Sequence, residues 1–314
     1  MTASKPANEF GAGGWTAERL PDLAGKTYLI TGGNSGIGYE AARMLGEKGA
    51  TVAILSRNRA KGEAAVAALK KAAPRGSFEF IPLDLASLQS VREAAKEARR
   101  RFKKIDGLVL NAGIMMLPKR ELTVDGFEIQ FGVNHLGHFA LAGMLSDLVE
   151  AAGGRFVSVA SLAHRYARGV KFDDVMMARG YSAIGAYAQS KLANLLFAIE
   201  LDRRLAANDN KARAYVCHPG YSDTNLQSTG PSRFAATIMK PLTAILSQPA
   251  AKGALPTVLC AAGAEAKPGS YYGPTGFREM TGPVGAALVG WQARDEAGGK
   301  RLWELSETLT GVRW

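Results

Sequence analysis

The chain has 314 residues, 47% of them hydrophobic and 21% charged, a balance typical of a soluble globular protein with a sizeable core. It has no apolar run long enough to span a membrane, no signal-peptide core near its start, and only two cysteines, so we expect a cytoplasmic protein without a transmembrane segment or disulfide framework. The net charge of +11 is densest at 96–104, where the basic end of an amphipathic helix explains it, so we expect no nucleic-acid partner.

Short β-branched segments alternate with Ala-rich helical segments along the chain. After a Gly-rich start, residues 1–20, which we expect to be mobile, the predicted strands lie at 27–31, 51–56, 79–82, 107–111, 155–160, 212–217 and 270–272. The predicted helices lie at 37–48, 59–73, 88–101, 127–149, 182–204 and 250–262. This alternation predicts an α/β fold with a doubly wound parallel sheet, a Rossmann fold, in a single domain over residues 21–314.

Residues 225–249 form an apolar segment that Pro231, Lys240 and Pro241 interrupt. A broken amphipathic segment between a strand and a helix is typical of a helical substrate lid, and we favour this interpretation. Two alternatives stay open, an ordinary core helix and a surface that rests on a membrane.

A glycine-rich turn lies between the first predicted strand and the first predicted helix. Its glycines allow a tight turn and close approach of the backbone to a bound group. The helix that follows presents unpaired N–H groups and the positive end of its dipole, which suit a pyrophosphate. We therefore expect a dinucleotide to bind at Gly32, Asn34, Ser35, Gly36, Ile37 and Gly38.

The second predicted strand ends in Leu55-Ser56-Arg57-Asn58. An Asp or Glu here would bind the ribose 2′-hydroxyl of NAD. Arg57 instead offers a planar guanidinium that can bind a 2′-phosphate with two hydrogen bonds. We expect NADP(H) rather than NAD(H), and the alternative is that Arg57 is an exposed loop residue without a ligand.

Tyr187 precedes Lys191 by four residues in a predicted helix, so their side chains share one face. A nearby ammonium favours the phenolate form of a tyrosine, whose ordinary pKa is about 10. Efficient acid-base work near neutral pH needs a lower phenol pKa, which Lys191 and the positive ring of an oxidised nicotinamide can supply. The pair predicts a tyrosine that transfers a proton.

These motifs resemble, in family order, the short-chain dehydrogenase/reductase family over residues 27–224. The runs 133–139, 161–164 and 190–194 are similar to its branch of retinol dehydrogenases and protochlorophyllide reductases. The matching positions are Thr31, Gly32, Gly36, Gly38, Asp84, Leu85, Asn111, Ala112, Gly113, Asn134, Ser161, Tyr187, Lys191, Pro219, Gly220 and Thr224.

The resemblance implies the catalytic roles. Tyr187 would protonate a carbonyl oxygen, or deprotonate an alcohol, as hydride passes from or to the nicotinamide. Ser161 would orient the substrate oxygen, Lys191 would bind the nicotinamide ribose, and Asn134 would hold a water that links Lys191 to solvent. The implied cofactor contacts are Asp84 and Leu85 near the adenine, Asn111, Ala112 and Gly113 along the adenosine ribose and backbone, and Pro219, Gly220 and Thr224 at the nicotinamide amide.

Some of these residues also allow a structural interpretation, Asp84 as a turn residue, Asn134 as a helix-distorting side chain and Ser161 as a strand-end cap. Between Ser161 and Tyr187 lie 25 residues, more than the compact family pattern has, and the resemblance implies that this longer connection shapes the substrate entrance. Its other tyrosines, Tyr166 and Tyr181, have no lysine four residues later, and Ser158 is the lesser candidate for the serine role. The histidines at 135, 138, 164 and 218 lack further ligands at suitable spacing, so we expect no metal.

The sequence therefore predicts an NADP-dependent oxidoreductase acting on a carbonyl or alcohol of a fairly apolar small molecule. A dinucleotide-sensing regulatory protein without turnover is the alternative, although such a sensor has no need of a proton donor. Both a monomer and a homo-oligomer are compatible with the sequence. The apolar preference depends on Met115, Met116 and the lid candidates Phe234, Ile238, Met239, Leu242 and Ile245.

Overall fold

The computed structural model describes residues 8–221 and 248–314. In these ranges one sheet contains β1 (Thr27–Thr31), β2 (Thr51–Ser56), β3 (Ser77–Pro82), β4 (Gly107–Leu110), β5 (Arg155–Val159), β6 (Arg213–Cys217), β7 (Tyr271–Pro274) and β8 (Val284–Ala286). The α-helices longer than one turn are α1 (Gly36–Glu47), α2 (Arg59–Ala72), α3 (Leu88–Arg101), α4 (Gly137–Ala151), α5 (Ala183–Ala207), α6 (Ala250–Ala262) and α7 (Glu296–Thr310). The predicted α/β alternation is confirmed.

The strands follow the order β3-β2-β1-β4-β5-β6-β7-β8, in which β1 to β7 pair in parallel and β8 pairs antiparallel with β7. Ile30 of β1 lies opposite Ile54 of β2 on one side and Val109 of β4 on the other. The strand order reverses between β1 and β4. In open α/β sheets such a switch point opens a ligand-binding crevice at the carboxyl ends of the strands.

Hydrophobic cores cover both faces of this sheet, because successive side chains of a strand point to opposite faces. Tyr28 and Ile30 of β1 pack in one core, which includes residues of α1 and α6. Leu29 packs in the other, which includes residues of α3 and α4. Strands buried on both faces read as continuous apolar runs, which explains why the sequence identified them.

Residues 8–20 pack against the sheet. The Trp15 side chain is fully buried, and its backbone N–H donates to the carbonyl of Val284 at 3.1 Å. The Asn8 side chain donates to the same carbonyl, also at 3.1 Å, and to Thr275 Oγ1 at 3.3 Å. Contacts with distant residues therefore anchor this glycine-rich segment from Asn8 onward, in the stretch where the sequence predicts a mobile start.

The C-terminal segment adds β8 and α7, which the sequence did not predict. Helix α7 packs on α5, and Trp303 stacks on Phe197 with ring centroids 5.9 Å apart. Trp314 contacts Trp303 with centroids 4.8 Å apart. Aromatic side chains bury large apolar areas, so these contacts hold α5 against the rest of the fold.

The lid candidates and Thr224 lie outside the described residues. At the two ends of that gap, the Gln248 N–H donates to the Tyr221 carbonyl at 2.9 Å, and Gln248 Nε2 donates to the Pro219 carbonyl at 2.7 Å. Tyr221 and Gln248 therefore lie side by side, next to Pro219. Within the described ranges, no helix combines the length and apolarity needed to cross a bilayer.

Candidate active site

The predicted site residues lie at one edge of the sheet, because the carboxyl ends of parallel strands meet there. Among the described residues, the glycine turn follows β1, Arg57 follows β2, Asp84 and Leu85 follow β3, Asn111, Ala112 and Gly113 follow β4, Ser161 follows β5, and Pro219 and Gly220 follow β6. Helix α5 contributes Tyr187 and Lys191, and the turn before α4 contributes Asn134.

The turn after β1 depends on its glycines for two physical reasons. Gly32 and Gly36 have φ of +68° and +56°, the left-handed region that a side chain disfavours. A Cβ on Gly38 would lie 2.5 Å from the Gly32 carbonyl oxygen, so only glycine lets α1 approach the turn so closely. Ser35 precedes α1 without a side-chain cap. The Ser35 side chain therefore leaves the first N–H groups of α1 available, as a phosphate site at a helix N-terminus requires.

Thr31 joins the glycine turn to the segment after β4. Its Oγ1 accepts the N–H groups of Asn111 and Ala112, each at 2.9 Å, and lies 2.8 Å from His138 Nε2. His138 Nδ1 lies 2.9 Å from the Asn134 carbonyl, which can only accept, so Nδ1 carries the proton and Nε2 accepts from Thr31. Burial lowers the His138 pKa to about 4, which keeps this neutral form.

Asn134 lies in a π-helical turn, Gly132–Leu136, between the short helical turn Ile129–Phe131 and α4. Its side-chain N–H groups donate to the Ile114 carbonyl and to Ser190 Oγ, and its Oδ1 accepts the Ile114 N–H, each at 2.9 Å. Single π turns are frequent at functional sites. Here the turn places the buried Asn134 amide where it binds both the loop after β4 and helix α5.

Lys191 is only 4% exposed, and its Nζ donates to the Val159 carbonyl at 2.9 Å. Nζ lies 5.9 Å from the centroid of the Tyr187 ring. A Cβ on Gly113 would lie 3.5 Å from Nζ and 3.2 Å from Asn134 Oδ1, so these three residues meet at one point. The structure thus brings together the predicted lysine, tyrosine and asparagine.

The pKa values of this group follow from burial. Burial lowers the pKa of Lys191 to about 8. Burial raises the pKa of the Tyr187 phenol, and a hydrogen bond with Ser161 lowers it by a smaller amount. The lowered phenol pKa that the sequence led us to expect is therefore not produced by the protein's own groups.

Ser161 lies two residues after β5 and caps the short helix Leu162–Tyr166, where its Oγ accepts the Ala163 N–H at 3.2 Å. His164 Nδ1 donates to the Ser161 carbonyl at 2.7 Å, while its Nε2 accepts the Gly290 N–H at 3.1 Å. The two bonds hold the His164 imidazole on both sides, and the imidazole links the Ser161 carbonyl to the Gly290 N–H. Ser158, the lesser candidate, is buried and donates to the Asn194 carbonyl at 3.1 Å.

At the other end of the crevice, Arg57 is exposed and Ser56 Oγ is buried without a hydrogen-bond partner. A buried hydroxyl without a partner is uncommon in folded proteins and indicates a place where a ligand or water can bind. Asp84 Oδ1 accepts the Ala86 N–H at 3.0 Å, and the Asp84 N–H donates to Ser90 Oγ at 2.9 Å. Asp84 thus stabilises a turn, which is the structural role that the sequence offered as an alternative to a contact with the adenine.

Sequence reasoning missed His138 and His164, which it considered only as metal ligands. Their signal was spacing, since His138 follows Asn134 by one helical turn and His164 follows Ser161 by three residues. Across residues 8–221 and 248–314, no group of three or more His, Cys, Asp or Glu side chains could hold a metal ion.

Comparison with known proteins gives consistent results. The sequence profile of the family described as short chain dehydrogenase matches residues 26–233. Retinol dehydrogenase 12 of Mus musculus is 35% identical over 309 residues, which are 98% of this chain and 92% of that protein. A crystal structure from Mycobacterium paratuberculosis, of an uncharacterized protein, aligns with a TM-score of 0.80 and 40% identity over 96% of this chain and 98% of that chain. The alcohol dehydrogenase of Thermococcus sibiricus in complex with 5-hydroxy-NADP aligns with a TM-score of 0.52 and 25% identity over 72% and 92%.

Proposed function

The chain belongs to the short-chain dehydrogenase family, and we propose that it transfers hydride between NADP(H) and a carbonyl or alcohol carbon of an apolar small molecule, with Tyr187 as general acid and base. The observation that carries this proposal is the meeting of Tyr187, Lys191 and Asn134 beside Gly113, with Ser161 hydrogen-bonded to the tyrosine. The retention of this whole set favours turnover over a purely sensing role.

The residues present fit a dinucleotide. The left-handed Gly32 and Gly36 and the close approach at Gly38 leave the backbone of the turn open to a pyrophosphate. When bound, the cofactor supplies or accepts the hydride. The residues that would hold it are those of this turn, those of the segment after β4, and Lys191.

Tyr187 handles the proton. In reduction, the phenol O–H bond breaks and the proton goes to the carbonyl oxygen as the carbon gains hydride, so that an alcohol forms. The raised pKa of Tyr187 keeps this proton in place until negative charge develops on the substrate oxygen. Ser161 donates to the same oxygen and stabilises that charge. Lys191 and a water held at Asn134 then return a proton to the phenolate.

We propose NADP(H) as the preferred cofactor because of the end of β2. Arg57 is exposed there and free of resolved ion pairs within the described residues, and the buried Ser56 Oγ beside it lacks a partner. A guanidinium and a hydroxyl together suit a 2′-phosphate. The NADP analogue bound to the Thermococcus relative supports the same choice.

An apolar substrate is the second specific part of the proposal. The name of the mouse relative states retinol, a long apolar alcohol, as its substrate. In this chain the half-buried Met115 and Met116 lie two and three residues after Gly113 and offer adaptable apolar surface on the segment that leaves the catalytic group. Location in the cytoplasm also stays a prediction, which cell fractionation can test.

A panel of ketones, aldehydes and alcohols, followed by NADPH absorbance, tests the function. We expect turnover of bulky apolar ketones or their alcohols and a loss of about 10²- to 10⁴-fold in Tyr187→Phe. Tyr166→Phe is the matched control, because Tyr166 is 76% exposed in the same connection. NADPH binding, measured by fluorescence, should be equal in all three proteins. Undiminished turnover in Tyr187→Phe would remove the central claim.

A further inference from the structure

The side chain of Gln130 is 0% exposed and uses both of its polar atoms. Its Oε1 accepts the Met116 N–H at 2.7 Å, and its Nε2 donates to Tyr181 Oη at 3.0 Å and to the Ala183 carbonyl at 3.3 Å. The acceptor character of the Ala183 carbonyl fixes which end of the amide is nitrogen. One buried amide thus joins residue 116 to residues 181 and 183, two segments that are far apart in the sequence.

Tyr181 completes the arrangement from the long connection between Ser161 and Tyr187. Its Oη accepts from Gln130 and donates to the Leu117 carbonyl at 2.8 Å. The backbone of residues 116 and 117 is therefore held by two side chains, one before the π-helical turn and one before α5. Met116 has φ of +53°, a conformation that costs a non-glycine residue free energy and persists only where the surroundings hold it.

The residues so held border the catalytic group. Asn134 binds both backbone groups of Ile114, and a Cβ on Gly113 would lie 3.5 Å from Lys191 Nζ. Residues 114–117 consequently form a wall that starts at Lys191 and ends at Tyr181. Ala183, the third partner of Gln130, begins α5, one helical turn before Tyr187. Gln130 thus links this wall to the start of the helix that carries Tyr187.

We propose that Gln130 and Tyr181 are positioning residues that fix the 114–117 wall and thereby select substrates by size. The inference rests on the proposed function, since it assigns Met115 and Met116 to the surface that an apolar carbonyl compound contacts. Neither residue belongs to the set that moves the proton. A looser wall changes how a bulky substrate fits and leaves the proton transfer from Tyr187 to a small substrate intact.

Tyr181→Phe tests this with the least disturbance, because it removes one hydroxyl and keeps the ring. Tyr166→Phe, the exposed tyrosine of the same connection, is the matched control. For Tyr181→Phe we expect KM to rise about tenfold for a bulky ketone, with kcat and the KM for a small ketone within about twofold of wild type. Gln130→Leu should act in the same direction and more strongly.

Hydrogen exchange gives a readout independent of turnover. The amides of residues 114–117 should exchange faster in Tyr181→Phe and unchanged in Tyr166→Phe, with the NADPH Kd of all variants equal. Equal KM changes for both ketones, or unchanged amide exchange in Tyr181→Phe, would overturn the proposal. If the wild type turns over no substrate, the proposed function fails, and unchanged exchange still overturns the positioning role.

Discussion

Lys191 Nζ and the Asn194 side-chain amide donate to the same acceptor, the carbonyl of Val159, at 2.9 Å and 3.2 Å. This shared oxygen ties α5 to the end of β5, two residues before Ser161. Lys191 holds its charge in a buried place, and the lowering of its pKa from 10.5 to about 8 expresses what that burial costs. This shift means that the buried charge lowers the free energy of unfolding by about 3 kcal/mol at neutral pH.

Lys191→Met should therefore yield a more stable and inactive protein. Asn194 still satisfies the Val159 carbonyl, so the substitution loses one hydrogen bond, worth about 1 kcal/mol, and removes a larger desolvation cost. We expect the free energy of unfolding at pH 7, measured in urea, to rise by about 1–3 kcal/mol, while turnover falls at least about 100-fold.

The pH dependence of the free energy of unfolding tests whether the buried charge of Lys191 causes this difference. Because the folded pKa of Lys191 lies below its unfolded value, the unfolded state binds more protons between pH 8 and 10.5, and wild-type stability rises across this window. The extra stability of Lys191→Met relative to wild type should be complete below pH 8 and should vanish by about pH 10.5. A variant less stable than wild type at pH 7 would contradict the assigned cost.

Arg57→Ala should separate the two cofactors. Loss of a charge-assisted contact to the 2′-phosphate should weaken NADPH binding by about 10- to 100-fold and leave NADH binding unchanged, as measured by fluorescence titration. Arg59→Ala is the control, because Arg59 is also exposed but pairs with Glu63 at 3.2 Å. Equal affinities of the wild type for the two cofactors would refute the preference, as would unaltered NADPH affinity in Arg57→Ala.

Local patterns account for what the sequence predicted. The glycine turn could be predicted because only glycine allows the φ angles of Gly32 and Gly36 and the close approach at Gly38. The shared helix face of Tyr187 and Lys191 could be predicted from their spacing of four residues. The strands of the sheet are readable because both of their faces are apolar.

Long-range contacts account for what the sequence did not predict. Trp15 is anchored by Val284, and Thr31 by His138, pairs that only the finished fold brings together. The phenol pKa of Tyr187 could not be predicted from the nearby lysine, because burial, a property of the whole fold, dominates it.

Thr31→Val tests the junction between the glycine turn and His138. Valine has the shape of threonine but leaves the N–H groups of Asn111 and Ala112 and the Nε2 of His138 without their partner. We expect the free energy of unfolding to fall by about 2–4 kcal/mol and NADPH binding to weaken. Thr31→Ser keeps the hydroxyl and should lose about 1 kcal/mol. Urea unfolding of both variants measures these two losses of stability. Equal losses in Thr31→Val and Thr31→Ser would show that packing, and not the hydroxyl, causes the loss.

Arg165→Met tests the link between the serine turn and the C-terminal segment. The Arg165 guanidinium pairs with Glu279, whose side chain is 4% exposed, and donates to the Leu288 carbonyl at 2.9 Å. The variant leaves a buried carboxylate without its cation, so we expect a loss of about 2–4 kcal/mol in unfolding free energy, less than for a fully buried pair because Arg165 is one-third exposed.

A double-mutant cycle with Glu279→Gln isolates this pair. The Gln side chain removes the uncompensated charge, so Glu279→Gln should restore at least about 1 kcal/mol to Arg165→Met. Arg179→Met is the control, because Arg179 pairs with Asp173 at 3.5 Å with both side chains mostly exposed, and it should change stability by less than about 0.5 kcal/mol. Since His164 precedes Arg165 and holds the Ser161 carbonyl, kcat should fall in Arg165→Met and recover in the double variant. Additive effects of Arg165→Met and Glu279→Gln would show that the two segments are not coupled through this pair.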